Sequence, residues 1–282
     1  MMVEKIQITC LINDTVKWDK GFWGEHGISF LIELPDERIL FDTGTSPQIL
    51  EHNLNKINTD LKEISAVVLS HGHYDHTGAL EWVLSKVDYP RVIADPLVFD
   101  QKLIKKEDGG FWPVGSPMKN CEVEKKADLH LTTELTEIAD GVFVTGRIPR
   151  NTSFEKTPEN YYRETKNDLH TDTIPDDRTL VILSAMGLLV VCGCCHAGLI
   201  NTLTYITDHF KKPIHAVMGG IHLVGASEER IQETLRGLQN IFKPDHLYLN
   251  HCTGFDALTE LRLGLGDIVQ PFLAADVLEF DL

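Results

Sequence analysis

Four side chains that bind metals fall within six positions, directly after a short apolar run. The run covers residues 66–69, and the four residues are His71, His73, Asp75 and His76. A continuous apolar run of this length is typical of a strand buried on both faces, as in the centre of an α/β sheet. His71 and His73 are two apart, so in extended backbone their side chains leave on the same face. Because open α/β sheets bind ligands at the carboxyl ends of their strands, we predict a metal site here rather than a histidine-rich surface turn without function.

Both ends of the chain show alternating strand and helix patterns. Apolar and β-rich segments predict strands at residues 6–12, 28–34, 39–41, 66–69, 180–183, 188–192, 216–218 and 247–249. Apolar positions at helical spacing predict helices near residues 49–57, 77–87, 199–210 and 231–241, the last with Ser227 as its N-cap. The similar layout of the two ends favours two packed αβ halves.

The middle of the chain has a different character. Residues 104–127 are rich in Lys, Glu, Gly and Pro, residues 150–178 are polar, and neither stretch has sustained periodicity. Long loops of this kind in a compact domain are usually lids or binding loops. Phe111 and Trp112 are candidates for a lid over a planar substrate, with simple loop packing as the alternative. We therefore predict one domain over residues 1–282, with a loop-rich insertion or cap at about 95–178.

The composition is that of a globular protein with an acidic surface. Hydrophobic residues make up 43% and charged residues 24%, and the formal net charge is −16. This charge repels nucleic acid and anionic membranes, so we expect neither as a partner. A small anionic substrate remains compatible, because metals and local basic residues reverse the field at a site. The sequence leaves open whether the chain forms a homo-oligomer.

The N-terminal residues mix acidic and basic side chains and lead straight into a strand, which argues against a signal peptide. Six cysteines, three of them within residues 192–195, are few for a disulfide scaffold of this length. We therefore predict a reducing, cytoplasmic location. The cysteine spacing matches no common iron–sulfur motif, so buried thiols that pack around a histidine site are the favoured interpretation.

Two further histidines stand where a strand is expected to end. His196 lies in Gly193-Cys194-Cys195-His196-Ala197-Gly198, and His251 lies in Leu249-Asn250-His251-Cys252-Thr253-Gly254. Both are candidate metal ligands, with a hydrogen-bonded structural histidine as the alternative.

The histidine run, with Phe41-Asp42-Thr43-Gly44 about thirty residues upstream, resembles the metallo-β-lactamase superfamily. The resemblance implies an α/β fold in the form of a four-layer αβ/βα sandwich. It also implies two divalent metal ions, with zinc favoured and iron or manganese as alternatives. Asp42 would support the ligands, a role that is compatible with a turn or helix cap. The ligands implied are His71 and His73 for one ion, and Asp75, His76 and His251 for the other.

The chain departs from the commonest superfamily pattern in two places. Residues 142–149 contain no histidine where many members have Pro-Gly-His-Thr, and Cys192-Gly193-Cys194 stands where many have Thr-Gly-Asp. The bridging aspartate is therefore absent from its usual position, and we predict that His196 supplies a ligand from a different turn. Two metals remain favoured over one.

Several short motifs together narrow the resemblance to one branch of the superfamily. They are Glu25-His26-Gly27, Thr145-Gly146-Arg147-Ile148-Pro149-Arg150, the Cys-Cys-His turn, Gly219-Gly220-Ile221-His222-Leu223 and the run at 251–254. This branch is named for archaeal dihydropterin-ribofuranosylaminobenzene-phosphate synthases and includes bacterial proteins known only as metal-dependent hydrolases.

Four residues in these motifs are candidates for contact with the substrate. We predict His222 as a catalytic proton donor or phosphate contact, with a hydrogen-bonded strand-end histidine as the alternative. His26 is a candidate substrate contact. Arg147 and Arg150 are candidates for bidentate hydrogen bonds to a phosphate or carboxylate of the substrate, with surface charge pairing as the alternative.

The resemblance and the residues together predict a metal-dependent hydrolase. A metal-activated water would attack a small anionic substrate, such as a phosphate ester or diphosphate, with Asp75 orienting that water. One alternative is transfer, in which a dihydropterin diphosphate is joined to a ribofuranosylaminobenzene phosphate. Another, from a different class, is a metal- or redox-sensing binding protein, which rests on the cysteine-rich turn.

Overall fold

The computed structural model describes residues 5–165 and 168–282, and residues 1–4 and 166–167 lie outside the described part. Strands are numbered in chain order. The first sheet has seven strands in the spatial order β18 (Val277–Asp281), β1 (Lys5–Ile12), β2 (Ser29–Glu33), β3 (Arg38–Phe41), β4 (Ala66–Val68), β5 (Arg91–Ala94) and β8 (Asp128–Leu131). The second has seven in the order β17 (Val269–Pro271), β16 (His246–Leu249), β15 (Ile214–Gly219), β14 (Gly187–Cys192), β13 (Thr179–Ser184), β10 (Val142–Val144) and β9 (Thr136–Ala139).

Helices cover the outer faces of these two sheets. The helices are α1 (Pro47–Lys56), α2 (Tyr74–Thr77), α3 (Leu80–Lys86), α4 (Asn120–Val123), α5 (Leu199–Phe210), α6 (Glu228–Gly237) and α7 (Phe255–Leu265). One apolar core lies between the sheets, a second between the first sheet and α1 and α3, and a third between the second sheet and α5 to α7. The αβ/βα sandwich predicted from the sequence is confirmed.

Strand β4 shows why the apolar run before the histidines is continuous. Ala66 and Val68 point into the core between the sheets, whereas Val67 and Leu69 point into the core under the helices. Every side chain of the strand is therefore buried. β3, β4 and β5 run parallel, as do β14, β15 and β16, so their carboxyl ends reach the same edge of each sheet.

The predicted strands and helices at both ends of the chain are confirmed, with two differences. The helix expected to reach residue 241 ends at Gly237 as α6 and is followed by a π-helical turn over Leu238–Phe242. The helix expected over residues 77–87 begins only at Leu80, as α3, and the short α2 precedes it. The backbone N–H groups of Gly78 and Ala79 donate to the carbonyl of Gly44, at 2.9 and 3.4 Å. Because these groups do not continue the helical hydrogen-bond pattern, the chain turns between the two helices. Ser227 caps α6 as predicted, since its side chain accepts from the N–H of Arg230.

The central stretch contains more strand than its sequence predicts. β8 joins the first sheet, β9 and β10 join the second, and a third sheet of four strands lies in the order β12 (Asp168–Thr171), β11 (Tyr161–Thr165), β6 (Gln101–Lys105) and β7 (Phe111–Pro113). The third sheet packs beside the histidine run, because the N–H of Tyr74 donates to the carbonyl of Val114 at 2.9 Å. In residues 5–165 and 168–282, no helix is long and apolar enough to cross a membrane.

Candidate metal centre

The predicted residues follow the carboxyl ends of parallel strands and lie close together. His71, His73, Asp75 and His76 follow β4, His196 follows β14, and His251 follows β16. All six are buried or nearly so. They form two clusters that we name here: the first cluster is His71, His73 and His196, and the second cluster is Asp75, His76 and His251.

The first cluster brings three imidazole rings into contact. His71 Nε2 lies 2.8 Å from His73 Nδ1 and 3.2 Å from His196 Nε2. The Ser70 hydroxyl donates its one proton to Asp42 Oδ2 at 2.6 Å, so Ser70 Oγ accepts from His71 Nδ1 at 2.9 Å. His71 Nε2 is therefore left without a proton and turns its lone pair towards the other two rings.

Burial keeps these three rings neutral. It lowers the pKa of His71 and of His196 well below the ordinary value, and it lowers the pKa of His73 to about 3. Within the described part of the chain, His73 Nε2 and His196 Nδ1 are buried without a hydrogen-bond partner. Neutral imidazoles with converging lone pairs are the form in which histidine binds a transition metal, without prior loss of a proton.

The second cluster is arranged around one carboxylate oxygen. Asp75 Oδ2 is 3.5 Å from His76 Nε2 and 3.4 Å from His251 Nε2. Burial alone would raise the pKa of Asp75, but the neighbouring His76 and His251 lower it overall, so the carboxylate is ionised. His26 joins this cluster from a loop near the N-terminus, with its Nε2 also 3.4 Å from Asp75 Oδ2.

Asp42 lies directly behind the candidate ligands. It follows β3 in a left-handed turn with φ 57° and accepts from Ser70 N–H at 2.7 Å and from His76 Nδ1 at 2.6 Å. The second contact fixes the His76 proton on Nδ1 and turns Nε2 towards Asp75. A carboxylate in this position orients a ligating histidine and raises its basicity.

Cys194 lies between the two clusters, a position compatible with the thiol packing predicted from the sequence and also with a role as a ligand. Its Sγ is 3.2 Å from His76 Nε2 and within 4.8 Å of a ring nitrogen of His71 and of His196. A cysteine sulfur is a good zinc ligand. The signal for this role was present in the sequence, because Cys194 occupies the place of the aspartate in the common Thr-Gly-Asp pattern.

Arg147 and Arg150, which were predicted to bind substrate, bind other groups of the protein instead. The Arg147 guanidinium makes a two-bond fork onto the Asp95 carboxylate, at 2.8 and 2.9 Å. Arg150 donates to the backbone carbonyls of His196, at 2.6 Å, and of Thr173. Their prediction as substrate contacts is corrected: each is engaged within the protein, and Arg150 holds the turn that carries His196.

A cavity of about 450 Å³ opens above both clusters. His222, predicted as a catalytic residue, lines it; its ring centroid is 4.2 Å from that of His196, and its Nδ1 is buried without a partner among the described residues. The walls are apolar and aromatic, formed by Ile104, Trp112, Val114, Tyr161 and Val224. Among the residues that the structure describes, no lysine or arginine lines the cavity, so an anionic group there would have to find its positive partner at the clusters.

A buried ion network, which was not predicted, supports the turns that follow β4 and β14. Lys102 Nζ contacts Asp172 at 3.0 Å and Asp176 at 2.8 Å, and Asp176 accepts from Gly72 N–H at 2.9 Å. The next residue, Asp177, accepts from Ala197 N–H at 2.9 Å. The segment therefore ties the turn after β4 to the turn after β14. The sequence offers no local signal for these contacts, because their partners are 20 to 104 residues apart.

Comparison with known proteins agrees with this architecture. The family model of the metallo-β-lactamase superfamily matches residues 24–146. The chain is 31% identical, over 90% of each sequence, to the 7,8-dihydropterin-6-methyl-4-(β-D-ribofuranosyl)-aminobenzene-5′-phosphate synthase of Methanocaldococcus jannaschii. It is 34% identical to an uncharacterized protein of the same organism, over 90% of this chain and 93% of that one. The crystal structure of a metal-dependent hydrolase of the β-lactamase superfamily has a TM-score of 0.84 and 28% identity, over 98% of this chain and 100% of that one.

Proposed function

This chain belongs to the metallo-β-lactamase superfamily, and from that premise we propose that it is a metal-dependent hydrolase of a small anionic substrate, a phosphate ester or a diphosphate. The observation that carries the proposal is the pair of neighbouring clusters at the floor of the cavity. The hydrolase with a TM-score of 0.84 and 28% identity supports it at the level of reaction class.

The donor set fits two divalent ions of the zinc type. His71, His73 and His196 would hold one ion, and Asp75, His76 and His251 the other. Cys194 would lie between them, where it compensates for the missing bridging aspartate. Imidazole, thiolate and carboxylate are the ligands that zinc prefers, and iron and manganese remain alternatives. When bound, such ions supply Lewis-acid chemistry, because they withdraw electron density from a phosphoryl or carbonyl oxygen.

The chain's own residues would perform the remaining tasks. The ionised Asp75 carboxylate faces the cavity and would orient an attacking water by accepting its hydrogen bond. The His222 ring faces the same space and would donate a proton to the leaving oxygen. The apolar walls would hold the uncharged part of the substrate and limit the access of bulk water.

Replacement of His222 by alanine is expected to lower turnover without loss of metal. Removal of a general acid typically costs about 10²–10⁴-fold in rate. The loss should be large for an alkyl phosphodiester and small for bis-p-nitrophenyl phosphate, because p-nitrophenolate leaves without protonation. His209→Ala, a change on the exposed end of α5, serves as the control. A His222→Ala protein that loses metal in proportion to rate would show that His222 is a ligand instead.

A second candidate function is transfer, and the synthase with 31% identity over 90% of each sequence favours it. In that reaction a dihydropterin would be joined to a ribofuranosylaminobenzene phosphate. Trp112 and Tyr161 on the cavity wall suit a planar ring, since Tyr161 already packs against His73 with ring centroids 5.6 Å apart.

A substrate panel tests both functions. The metal-loaded protein is incubated with phosphomonoesters, phosphodiesters and a dihydropterin diphosphate, the last with and without the arylamine acceptor. Phosphate or alcohol release without acceptor supports hydrolysis, and product formation that requires the acceptor supports transfer. No turnover on any of them with metal intact contradicts both, and iron with a redox-active spectrum would then favour the sensing alternative.

A further inference from the structure

We propose that His26 is a ligand of the metal ion at the second cluster, and that Asp14 orients both His26 and His251 towards that ion. The inference rests on the proposed function, because it requires that the second cluster binds metal. It assigns a purpose to the Glu25-His26-Gly27 motif beyond the substrate contact predicted from the sequence.

Three imidazole rings meet at one oxygen of Asp75. The Nε2 atoms of His26 and His251 are each 3.4 Å from Asp75 Oδ2, and the Nε2 atom of His76 is 3.5 Å from the same oxygen. Hydrogen bonds from nitrogen to oxygen are typically about 2.9–3.0 Å long, so these contacts are longer than good hydrogen bonds. Ligands bonded to zinc at about 2.0–2.1 Å in a tetrahedral site lie about 3.3–3.4 Å from one another. Three imidazole nitrogens at this distance from one carboxylate oxygen are spaced as ligands of a common ion.

Asp14 orients the rings of both His26 and His251. Asp14 accepts from His26 Nδ1 at 3.0 Å with one oxygen and from His251 Nδ1 at 2.9 Å with the other. A neutral imidazole that donates through Nδ1 has its lone pair on Nε2. Asp14 therefore turns both Nε2 atoms to the Asp75 side, and in the neutral form that binds a metal both lone pairs would be aimed there. A carboxylate that receives the second ring proton of a ligating histidine is a recurrent feature of metal sites, and here one carboxylate serves two rings.

The residues on either side of His26 hold its loop in place. Glu25 Oε1 accepts from the N–H groups of Thr45 and Ser46, both at 2.9 Å, where the chain enters α1. Gly27 has φ +143°, and a Cβ there would lie 2.4 Å from the carbonyl oxygen of Asp75. Only glycine permits the backbone to come this close to Asp75. The backbone next to His26 therefore packs against the turn that contains Asp75. The motif thus fixes the loop on both sides of the imidazole.

His26 also has the exposure expected of a ligand at the open side of a site. Its side chain is 63% exposed and lines the cavity, whereas the His251 side chain is 1% exposed. His26 would therefore be the ligand of the second ion that lies nearest the mouth of the cavity.

The test compares metal binding by the full-length wild-type protein, His26→Ala, Asp14→Asn and a matched control, His130→Ala. His130 is similarly exposed, at 56%, and pairs with Asp128 at 2.8 Å away from the clusters. Zinc content is measured by elemental analysis, and affinity by competition with a chromogenic chelator. Cobalt-loaded samples report the ligand field by visible absorption. Thermal unfolding of the metal-free proteins shows whether each variant is folded.

We expect two zinc ions in the wild type and in His130→Ala. In His26→Ala, one ion should bind as in the wild type and the other at least 10-fold more weakly, with a changed cobalt spectrum. Asp14→Asn should weaken the same ion about 10–100-fold, the usual effect of losing a partner of a ligating histidine. Two ions bound by His26→Ala with wild-type affinity and spectrum would overturn this inference alone and leave His26 as a substrate or proton contact. A wild-type protein that binds none of zinc, iron and manganese would overturn the proposed function as well.

Discussion

Replacement of His73 by alanine is expected to remove the ion at the first cluster and to abolish detectable turnover. His73 Nδ1 is 2.8 Å from His71 Nε2, so its loss opens a gap in the donor set that no neighbour fills. Loss of a residue that only hydrogen-bonds to a metal ligand typically lowers metal affinity or activity about 10–100-fold. Loss of the ligand itself should lower both further. Zinc content and phosphodiesterase rate are the measurements.

The effect should be specific to the clusters. His209→Ala, where the imidazole bonds only to the Tyr205 carbonyl at 2.7 Å, should keep both ions and the full rate. If His73→Ala retained two ions and wild-type turnover, the first cluster would not be the metal site.

Replacement of Lys102 by methionine is expected to lower the free energy of unfolding by about 3–5 kcal/mol, because it leaves buried carboxylates without their cation. The Lys102, Asp172 and Asp176 side chains are at most 1% exposed. The ammonium group is retained in its charged form: burial would lower the pKa of Lys102, but Asp176 and Asp172 raise it overall. Urea unfolding of the metal-free protein measures the change.

A surface ion pair provides the matched comparison. Lys5 and Glu279 are 3.4 Å apart with side chains 60% and 56% exposed, so Lys5→Met should change the free energy of unfolding by only about 0–1 kcal/mol. Equal effects of the two substitutions would contradict the structural role given to Lys102.

The sequence predicts two packed αβ halves and the six strand-end ligand candidates because both depend on local patterns, whereas the sandwich itself was implied by the family resemblance. A short apolar run marks β4, and chemistry at the carboxyl ends of parallel strands follows from the topology of α/β sheets. Thus His71, His196 and His251 could be assigned to one site although they lie far apart in the chain. Their roles as ligands remain predictions that the metal measurements test.

The remainder of the site depends on contacts that no local pattern encodes. Asp14 lies in an early loop with ordinary composition, yet it pairs with His251, 237 positions away. The sequence around Lys102 is typical of a surface lysine. In the structure its side chain is buried between two aspartates. Arg147 and Arg150 appeared free to meet a substrate because their partners, Asp95 and the His196 carbonyl, are found only in three dimensions.

The third sheet was not predicted, for a different reason. Its strands β7 and β12 are short and have exposed side chains, so they lack the alternation of buried and polar positions that identifies a strand. β11 and β6 pair across more than fifty residues of chain. This sheet nevertheless contributes Trp112 and Tyr161 to the cavity, so the sequence indicated the aromatic candidate without indicating the strands that carry it.

The most direct test of the central claim is anomalous X-ray diffraction from crystals of the zinc-loaded protein, with data on both sides of the zinc absorption edge. Two zinc peaks are expected: one bonded to His71, His73 and His196 at about 2.0–2.1 Å, and one bonded to Asp75, His76 and His251 at similar distances. A zinc-loaded crystal with an anomalous peak at only one cluster, or at neither, would contradict the interpretation of this protein as a two-metal enzyme.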